Sequence, residues 1–388
     1  MRPVPKLASA LLAALLLAAA CSGDDDPVSS PSDDDAGDEA GDEAAGGATD
    51  AGAPIIFSTE GNNLNAYVGA DPFEKQTVIP TVADDPDGMD INGQLCFFPD
   101  DPHRLIAGED TGQPERTPGW GIFEVEGERV GDLSATEVGR LVPSYQNDPD
   151  NYGCGVLSDG RVVTTDLGNK VEGPPSGQLI IWFPPFDSEQ VSYCKIDVAL
   201  PTPGGIVVGH DDSLYVATAR PPGNGILRFT GPYPTSADAA GGCGRADPLG
   251  APLADAVDKQ LFIPADEHTL TPNALAVDGD GNFYVSSAFT GTIARYGPDG
   301  AFLDTIVTPA PGDDLGAEPR AGGAPFGLQV LDDGTIYWAD LGLVANADGV
   351  GPLDGTGTVR RYDPGTGQAS TVIDEGLDFP DGIGVFGP

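Results

Sequence analysis

Residues 272–285 read Pro-Asn-Ala-Leu-Ala-Val-Asp-Gly-Asp-Gly-Asn-Phe-Tyr-Val, and residues 291–296 read Gly-Thr-Ile-Ala-Arg-Tyr. The Asp-Gly pairs favour a tight hairpin turn between two runs that are rich in β-branched, aromatic and small apolar residues. The third run begins directly after a glycine. The stretch therefore predicts three consecutive antiparallel strands that form one unit of a meander.

The same unit starts four more times in the chain, which makes it an internal repeat. The other starts are Asn151-Tyr-Gly-Cys-Gly-Val156, Pro203-Gly-Gly-Ile-Val-Val208, Pro325-Phe-Gly-Leu-Gln-Val330 and Pro380-Asp-Gly-Ile-Gly-Val385. Second strands are predicted at Arg161–Thr165, Ser213–Ala217, Asn282–Ser286 and Thr335–Ala339. Third strands are predicted at Gln178–Trp182, Ile226–Phe229, Thr292–Tyr296 and Thr358–Tyr362. The one long interval contains an insertion at Gly231–Ala256, and a degenerate first copy begins near Asn92.

The strands at the two ends of this region together make up one blade. The last copy has only a first strand, Gly382–Phe386, whereas Ile55–Phe57, Leu64–Val68 and Thr77–Ile79 supply three strands that lack a first one. Joining them closes the ring and removes its open edges. We therefore predict an all-β fold for residues 54–388, a six-bladed β-propeller with four-stranded antiparallel blades.

The unit at residues 272–296 resembles an NHL-type blade and, equally, the blades of the gluconolactonase, regucalcin and paraoxonase superfamily. The resemblance covers blades two to five well and blade one poorly. In gluconolactonase-like proteins, a calcium ion on the ring axis polarises a lactone or ester carbonyl, and an acidic side chain activates water. Asn273 and Asp381 match the positions that hold this ion, whereas Phe326 and Gly204 in the neighbouring blades cannot ligate.

Oxygen-bearing side chains gather where first strands start and second strands end, on one face of the ring. Hard oxygen donors suit calcium, so Asn273, Asp381, Asp90 and Asn92 are candidate metal ligands. Candidate catalytic residues are Asp166, Asp340 and His268, the histidine five residues before Asn273. The alternative interpretation is that the Asp and Asn residues cap turns and that His268 is an ordinary loop residue.

The first fifty residues predict export. A basic start precedes the uncharged run Leu7–Ala20, which has the length of a secretory signal peptide. The run ends Leu17-Ala-Ala-Ala-Cys21, which resembles a lipoprotein lipobox in which Cys21 is acylated, although Ala18 stands where leucine is usual. Simple secretion is the alternative. We predict a signal peptide at 1–20, and at 21–53 a lipidated Cys21 followed by a disordered tether with eleven acidic residues.

Charge and cysteine content limit the partners. The formal net charge of −43 would repel nucleic acid, so we expect no nucleic-acid partner, a monomer, and a membrane contact through the lipid alone. Only three histidines and no Cys-x-x-Cys pair occur, which disfavours a zinc site. Two disulfides between neighbouring blades are predicted, Cys96 with Cys154 and Cys194 with Cys243.

Two functional hypotheses follow. The first is a cell-envelope lipoprotein, facing the periplasm or the cell exterior, that binds a small molecule or a partner at the central mouth of the propeller. The second is a calcium-dependent lactone or ester hydrolase. No Gly-x-Ser-x-Gly, His-Glu-x-x-His or Walker sequence occurs, which disfavours serine hydrolase, zincin and nucleotide-hydrolase mechanisms.

Overall fold

The computed structural model describes residues 54–69, 72–109, 117–143, 151–168, 173–288, 290–308, 324–346, 349–352 and 355–386. The signal peptide, the lipidated cysteine and the tether predicted at residues 1–53 lie outside this part of the chain. Apart from one 3-10 helix at Ala239–Gly241, the described residues contain no helix. None of their elements is a helix long and apolar enough to cross a membrane.

Six four-stranded antiparallel blades form the ring, as predicted, and two short strands from an insertion extend the sheet of blade two to six strands. The closing blade begins with β1 (Ile55–Glu60), β2 (Asn63–Val68) and β3 (Glu74–Ile79). Blade one contains β4 (Ile91–Phe98), β5 (Asp101–Glu109), β6 (Gly119–Glu126) and β7 (Ser134–Leu141). Blade two contains β8 (Asn151–Val156), β9 (Val162–Asp166), β10 (Gly177–Trp182) and β11 (Tyr193–Leu200).

The remaining blades follow in chain order. Blade three contains β12 (Pro203–Val208), β13 (Leu214–Thr218), β14 (Gly225–Thr230) and β17 (Asp258–Pro264). The insertion between β14 and β17 contains two short strands, β15 (Arg245–Ala246) and β16 (Pro252–Leu253), which join the sheet of blade two. Blade four contains β18 (Pro272–Val277), β19 (Phe283–Ser287), β20 (Thr292–Tyr296) and β21 (Phe302–Val307). Blade five contains β22 (Pro325–Val330), β23 (Ile336–Asp340), the hairpin β24 (Leu343–Asn346) and β25 (Gly349–Pro352), β26 (Gly357–Asp363) and β27 (Gln368–Leu377). Finally, β28 (Gly382–Phe386) completes the closing blade.

The ring closes as the sequence predicted. Strand β28 pairs antiparallel with β1, with Ile55 opposite Phe386 and Thr59 opposite Gly382. The predicted strands of the repeated units agree with the observed ones to within one or two residues at each end. Closure leaves the first strand of every blade innermost, around a common axis.

Both predicted disulfides are present. Cys96–Cys154 joins the inner strands of blades one and two, and Cys194–Cys243 fastens the blade-three insertion to the outer strand of blade two. A buried ion pair of 2.7 Å between Lys195 and Asp247 lies beside the second disulfide. Disulfides persist in oxidising compartments, so the pair of them indicates an exported protein.

Apolar side chains fill the spaces between blades. Trp120 and Trp182, both fully buried, lie with ring centroids 6.1 Å apart between blades one and two. Tyr215 and Phe283 lie 4.5 Å apart between blades three and four. Each blade meets a neighbour on both faces, which explains why its inner strands are apolar on both sides instead of alternating with polar residues.

Glycines let the inner strands approach one another closely near their starts. A Cβ on Gly204 would overlap the main-chain carbonyl of Asn273, and one on Gly382 would overlap that of Gly93. A Cβ on Gly327 would lie 2.8 Å from the carbonyl oxygen of Asp381. Main-chain atoms of neighbouring blades therefore touch directly around the axis at this level.

The substitution Gly204→Ala should lower the free energy of unfolding by about 2–3 kcal/mol or more, because the added methyl group meets rigid main chain rather than a mobile side chain. Urea unfolding measures this change. Gly279→Ala is the matched control, since no atom lies within 4 Å of the Cβ position there. Equal stability of the two variants would contradict the close contact at the axis.

Candidate functional site

We call the face on which first strands start and second strands end the upper face. At its centre, Tyr152 and Phe326 lie edge to face, with ring centroids 5.6 Å apart and an interplanar angle of 85°. They belong to blades two and five, which are opposite each other in a ring of six, so the pair spans the axis. Both side chains are at most 2% exposed. The upper end of the central channel is thus filled by apolar side chains.

A repeated tripeptide supports this aromatic pair. Asp166-Leu-Gly168 and Asp340-Leu-Gly342 end the second strands of the same two opposite blades. Leu167 and Leu341 pack in one buried cluster with Tyr152 and Phe326. The identical Asp-Leu-Gly tripeptides in blades two and five indicate an apolar centre. This pattern was not recognised from the sequence alone.

Asn273 and Asp381 each connect two blades, Asn273 linking blade four to blade two and Asp381 linking the closing blade to blade one. Asn273 Nδ2 donates a hydrogen bond of 2.9 Å to the Tyr152 hydroxyl. Asp381 Oδ1 accepts a hydrogen bond of 2.5 Å from Thr59, and its Oδ2 accepts one of 3.0 Å from the Gly93 amide. Burial raises the pKa of Asp381 to about 6, although the Thr59 and Gly93 donors favour the ionised form.

The other two candidate metal ligands lie in blade one and the loop before it. Asp90 accepts hydrogen bonds from the Thr81 hydroxyl and from the Val82 amide at 3.1 Å. Asn92 is half-buried in β4, where it pairs with Gly108.

The candidate ligands thus take part in separate hydrogen-bond networks, and the described residues contain no group of three His, Cys, Asp or Glu that could hold a metal ion. Calcium requires six to eight oxygens, which these side chains do not assemble by themselves. Calcium binding stays a prediction.

The three candidate catalytic residues are not brought together. Asp166 Oδ1 accepts a hydrogen bond of 3.0 Å from the Gly168 amide, as a turn cap does. Asp340 Oδ1 accepts two from main-chain amides, each at 3.2 Å, and burial raises the pKa of this carboxyl group. His268 stacks on Phe302 of the outer strand of blade four, with ring centroids 3.8 Å apart.

Two further carboxylates on this face have cationic partners. Glu109 lies 3.0 Å from the Arg140 guanidinium, and Glu60 lies 2.5 Å from the Lys75 ammonium group. Both carboxylates are almost fully buried. Several carboxylates of the upper face are therefore engaged in capping and ion pairs, although Glu60 Oε2 and Asp340 Oδ2 are buried without a hydrogen-bond partner among the described residues.

The opposite, lower face, where first strands end, contains an axial cavity of about 310 Å³. Inner strands of all six blades line it, through residues that include Gln94, Val156, Val208, Val277, Val330 and Ile383. Val208, Val277 and Val330 are half-buried, which places the opening of the cavity at this face. The sequence analysis did not predict this cavity, because its walls come from strands that are far apart in the chain.

Two glutamines donate to and accept from main-chain groups in the cavity wall. Gln94 pairs with both the amide and the carbonyl of Ile206, at 2.9 Å each, and accepts a further bond of 3.3 Å from the Cys154 amide. Gln329 pairs with both groups of Val385, at 2.6 and 3.3 Å. These side chains cross from one blade to another along the axis.

Acidic turns surround the lower face. The turns between first and second strands carry Asp159, Asp211, Asp212, Asp278, Asp280, Asp332 and Asp333. Arg161 pairs with Asp159 and lowers the pKa of that carboxyl group, and Arg228 pairs with Asp211. Carboxylates still outnumber cations there, so the rim of the cavity is negative.

These features define an exported six-bladed β-propeller with a filled upper face and an axial cavity at the lower one. The chain is similar to one chain of a nidogen–laminin complex, with a TM-score of 0.51 and 15% identity over 86% of this chain and 98% of that one.

A protein from Lactobacillus plantarum matches with a TM-score of 0.50 and 12% identity over 86% of this chain and 99% of that one. A gluconolactonase from Xanthomonas campestris matches with a TM-score of 0.45 and 15% identity over 74% and 83%. At these identities the likeness establishes the fold alone. No protein-family model and no curated protein matches the chain.

The stability of the ring closure should depend on the protonation of Asp381. Because its folded-state pKa is raised from 3.8 to about 6, the native state binds the proton more tightly than the unfolded chain. This contribution is fully present below pH 3.8 and is lost as the pH rises through 6. It amounts to about 3 kcal/mol at most.

Asp381→Asn should abolish the loss of folding stability that accompanies the rise in pH, because the Asn side chain can donate to Thr59 and still accept from the Gly93 amide. Urea unfolding from pH 4 to pH 8 measures the difference between the variant and the unmodified protein. The exposed Asp280→Asn is the control and should keep the original pH dependence. A pH dependence that survives Asp381→Asn would contradict the assignment.

Proposed function

We propose that this chain is an exported, lipid-anchored propeller that binds a small molecule in the axial cavity of its lower face. The cavity of about 310 Å³ carries the proposal, since small-molecule sites begin at about 300 Å³. The sequence placed the central mouth on the upper face, but Tyr152 and Phe326 fill that end of the axis, so the proposed site lies on the lower face instead.

The lining suggests the kind of molecule. Valine side chains supply an apolar wall, while the carboxamides of Gln94 and Gln329, already paired with Ile206 and Val385, add a polar part to the lining. The negative rim disfavours anions by charge repulsion. A neutral or cationic compound of roughly fragment size fits these conditions best.

The alternative function, a calcium-dependent lactone or ester hydrolase, has less support. It requires several oxygens that converge on one ion, whereas the described residues contain no group of three His, Cys, Asp or Glu that could hold a metal, and both oxygens of Asp381 already accept from Thr59 and Gly93. Calorimetric titration with calcium, on the full chain, tests it independently of the cavity.

A fragment screen tests the cavity. Fluorinated fragments that bind the full-length protein by 19F NMR should lose binding in Val277→Phe, because the larger ring fills the opening of the cavity. Val130→Phe is the matched control, since Val130 is 37% exposed and lies outside the cavity lining. Fragments that bind the two variants equally well, or no binding fragment at all, would refute the proposed site.

The anchor is tested separately. Cys21 with two or more acyl chains would bind membranes stably, so the chain should fractionate with membranes and Cys21→Ser should release it. Mass spectrometry of the amino-terminal peptide measures the modification. An unmodified Cys21 on secreted protein would favour simple secretion instead.

A further inference from the structure

The two glutamines in the axial cavity behave as built-in amide ligands. Gln94 donates from Nε2 to the Ile206 carbonyl and accepts at Oε1 from the Ile206 amide, with both distances at 2.9 Å. Gln329 makes the same two-point pair with Val385. Each carboxamide thus occupies the place that a neighbouring strand would take along the inner edge of a blade.

The inner edge of every blade has such groups, since the first strand has a partner strand on one side only. Ile206 lies opposite Val216 of the second strand. The amide and the carbonyl of Ile206 both bond to the Gln94 side chain. Leu275 stands in the same register opposite Val285, and Leu328 opposite Trp338. The amide and carbonyl groups of Leu275 and Leu328 are therefore directed toward the axis as well.

Both leucines line the axial cavity. A compound that enters it meets a donor and an acceptor on one strand edge, between valine side chains. A carboxamide satisfies both groups at once, whereas a ketone or ester offers only an acceptor and leaves a carbonyl unpaired. A carboxylate also lacks the donor and is repelled by the acidic rim.

We propose that the axial cavity is an amide-binding site, which takes a small molecule with a primary carboxamide on the inner edges of blades four and five. This inference rests on the proposed function and specifies the chemical class of its ligand. The amide of the ligand pairs with Leu275 or Leu328 as Gln94 pairs with Ile206, and its apolar part contacts Val277 and Val330.

A pair of matched probes tests the inference. Benzamide and acetophenone have similar size and shape, and both carry a carbonyl, but only benzamide has an N–H donor. Titration of the full-length protein, followed by NMR, should show benzamide binding about fivefold more tightly, as expected for one additional hydrogen bond. Equal affinities would overturn the amide inference and leave the cavity in place. Binding of neither probe would overturn the cavity itself.

Removal of a built-in amide gives a second test. Gln94→Ala should lower the melting temperature, and propionamide should restore part of the loss by pairing with the exposed groups of Ile206. Butanone, which lacks the donor, should not restore it. Gln329→Ala provides the same test at Val385 should Gln94→Ala fail to fold.

Gln76→Ala is the matched control for this rescue. Gln76 also bonds to main chain, with the Leu133 carbonyl and the Gly131 amide at 2.7 Å each, but it lies on the outer strand of the closing blade. Gln76 does not line the axial cavity, so propionamide should have the same small effect as on the unmodified protein. Rescue of Gln76→Ala to the same extent as the cavity variants, or no rescue of either cavity variant, would overturn the inference.

Discussion

Around the axis, inner strands of neighbouring blades touch main chain to main chain, and this contact is possible only where side chains are absent. Gly93, Gly153, Gly204, Gly327 and Gly382 lie at five of the six junctions between neighbouring blades. Every blade is positioned by these contacts, since a sheet that cannot reach the axis cannot pack on both neighbours. The glycines therefore determine the width of the ring at its upper end, and only a few side chains fit inside it.

That narrow upper end explains the two unlike faces. Tyr152 and Phe326 reach across it from opposite blades and meet at van der Waals distance. Toward the lower face the inner strands carry larger residues, and the axis there contains a cavity instead of packed rings. The same six strands thus surround packed aromatic side chains at one level of the axis and a cavity at the other.

The sequence predicted the blades well because each blade is a local unit, with its turns and apolar runs adjacent in the chain. Closure and both disulfides followed from the order of those units. The placement of His268 against Phe302 could not be predicted, because it depends on the path of one loop. The disulfide Cys194–Cys243 indicated that the insertion docks on blade two, but the ion pair between Lys195 and Asp247 beside it was not predicted, since these residues pair only in three dimensions.

For the candidate site, the place of a residue in its blade indicated its role better than the residue type did. Aspartates and asparagines were predicted to be calcium ligands, yet Asn273, Asp381 and Asp90 bond to amides and hydroxyls of other blades or of nearby loops. Asp381 is the clearest example, since it ties Thr59 at the start of the domain to Gly93 of blade one. Glutamines at positions 94 and 329 gave no signal in the sequence, because a lone glutamine within an apolar strand has no motif.

The positions of Gln94 and Gln329 support the proposed function better than those of any carboxylate do. A strand edge that faces an axis must find hydrogen-bond partners, because unpaired amides and carbonyls are costly to bury. In blade three and the closing blade, a side chain from another blade provides them. Where inner-edge groups border the cavity instead, water or a ligand must provide them, and a ligand that also contacts the surrounding valines has the advantage of apolar burial.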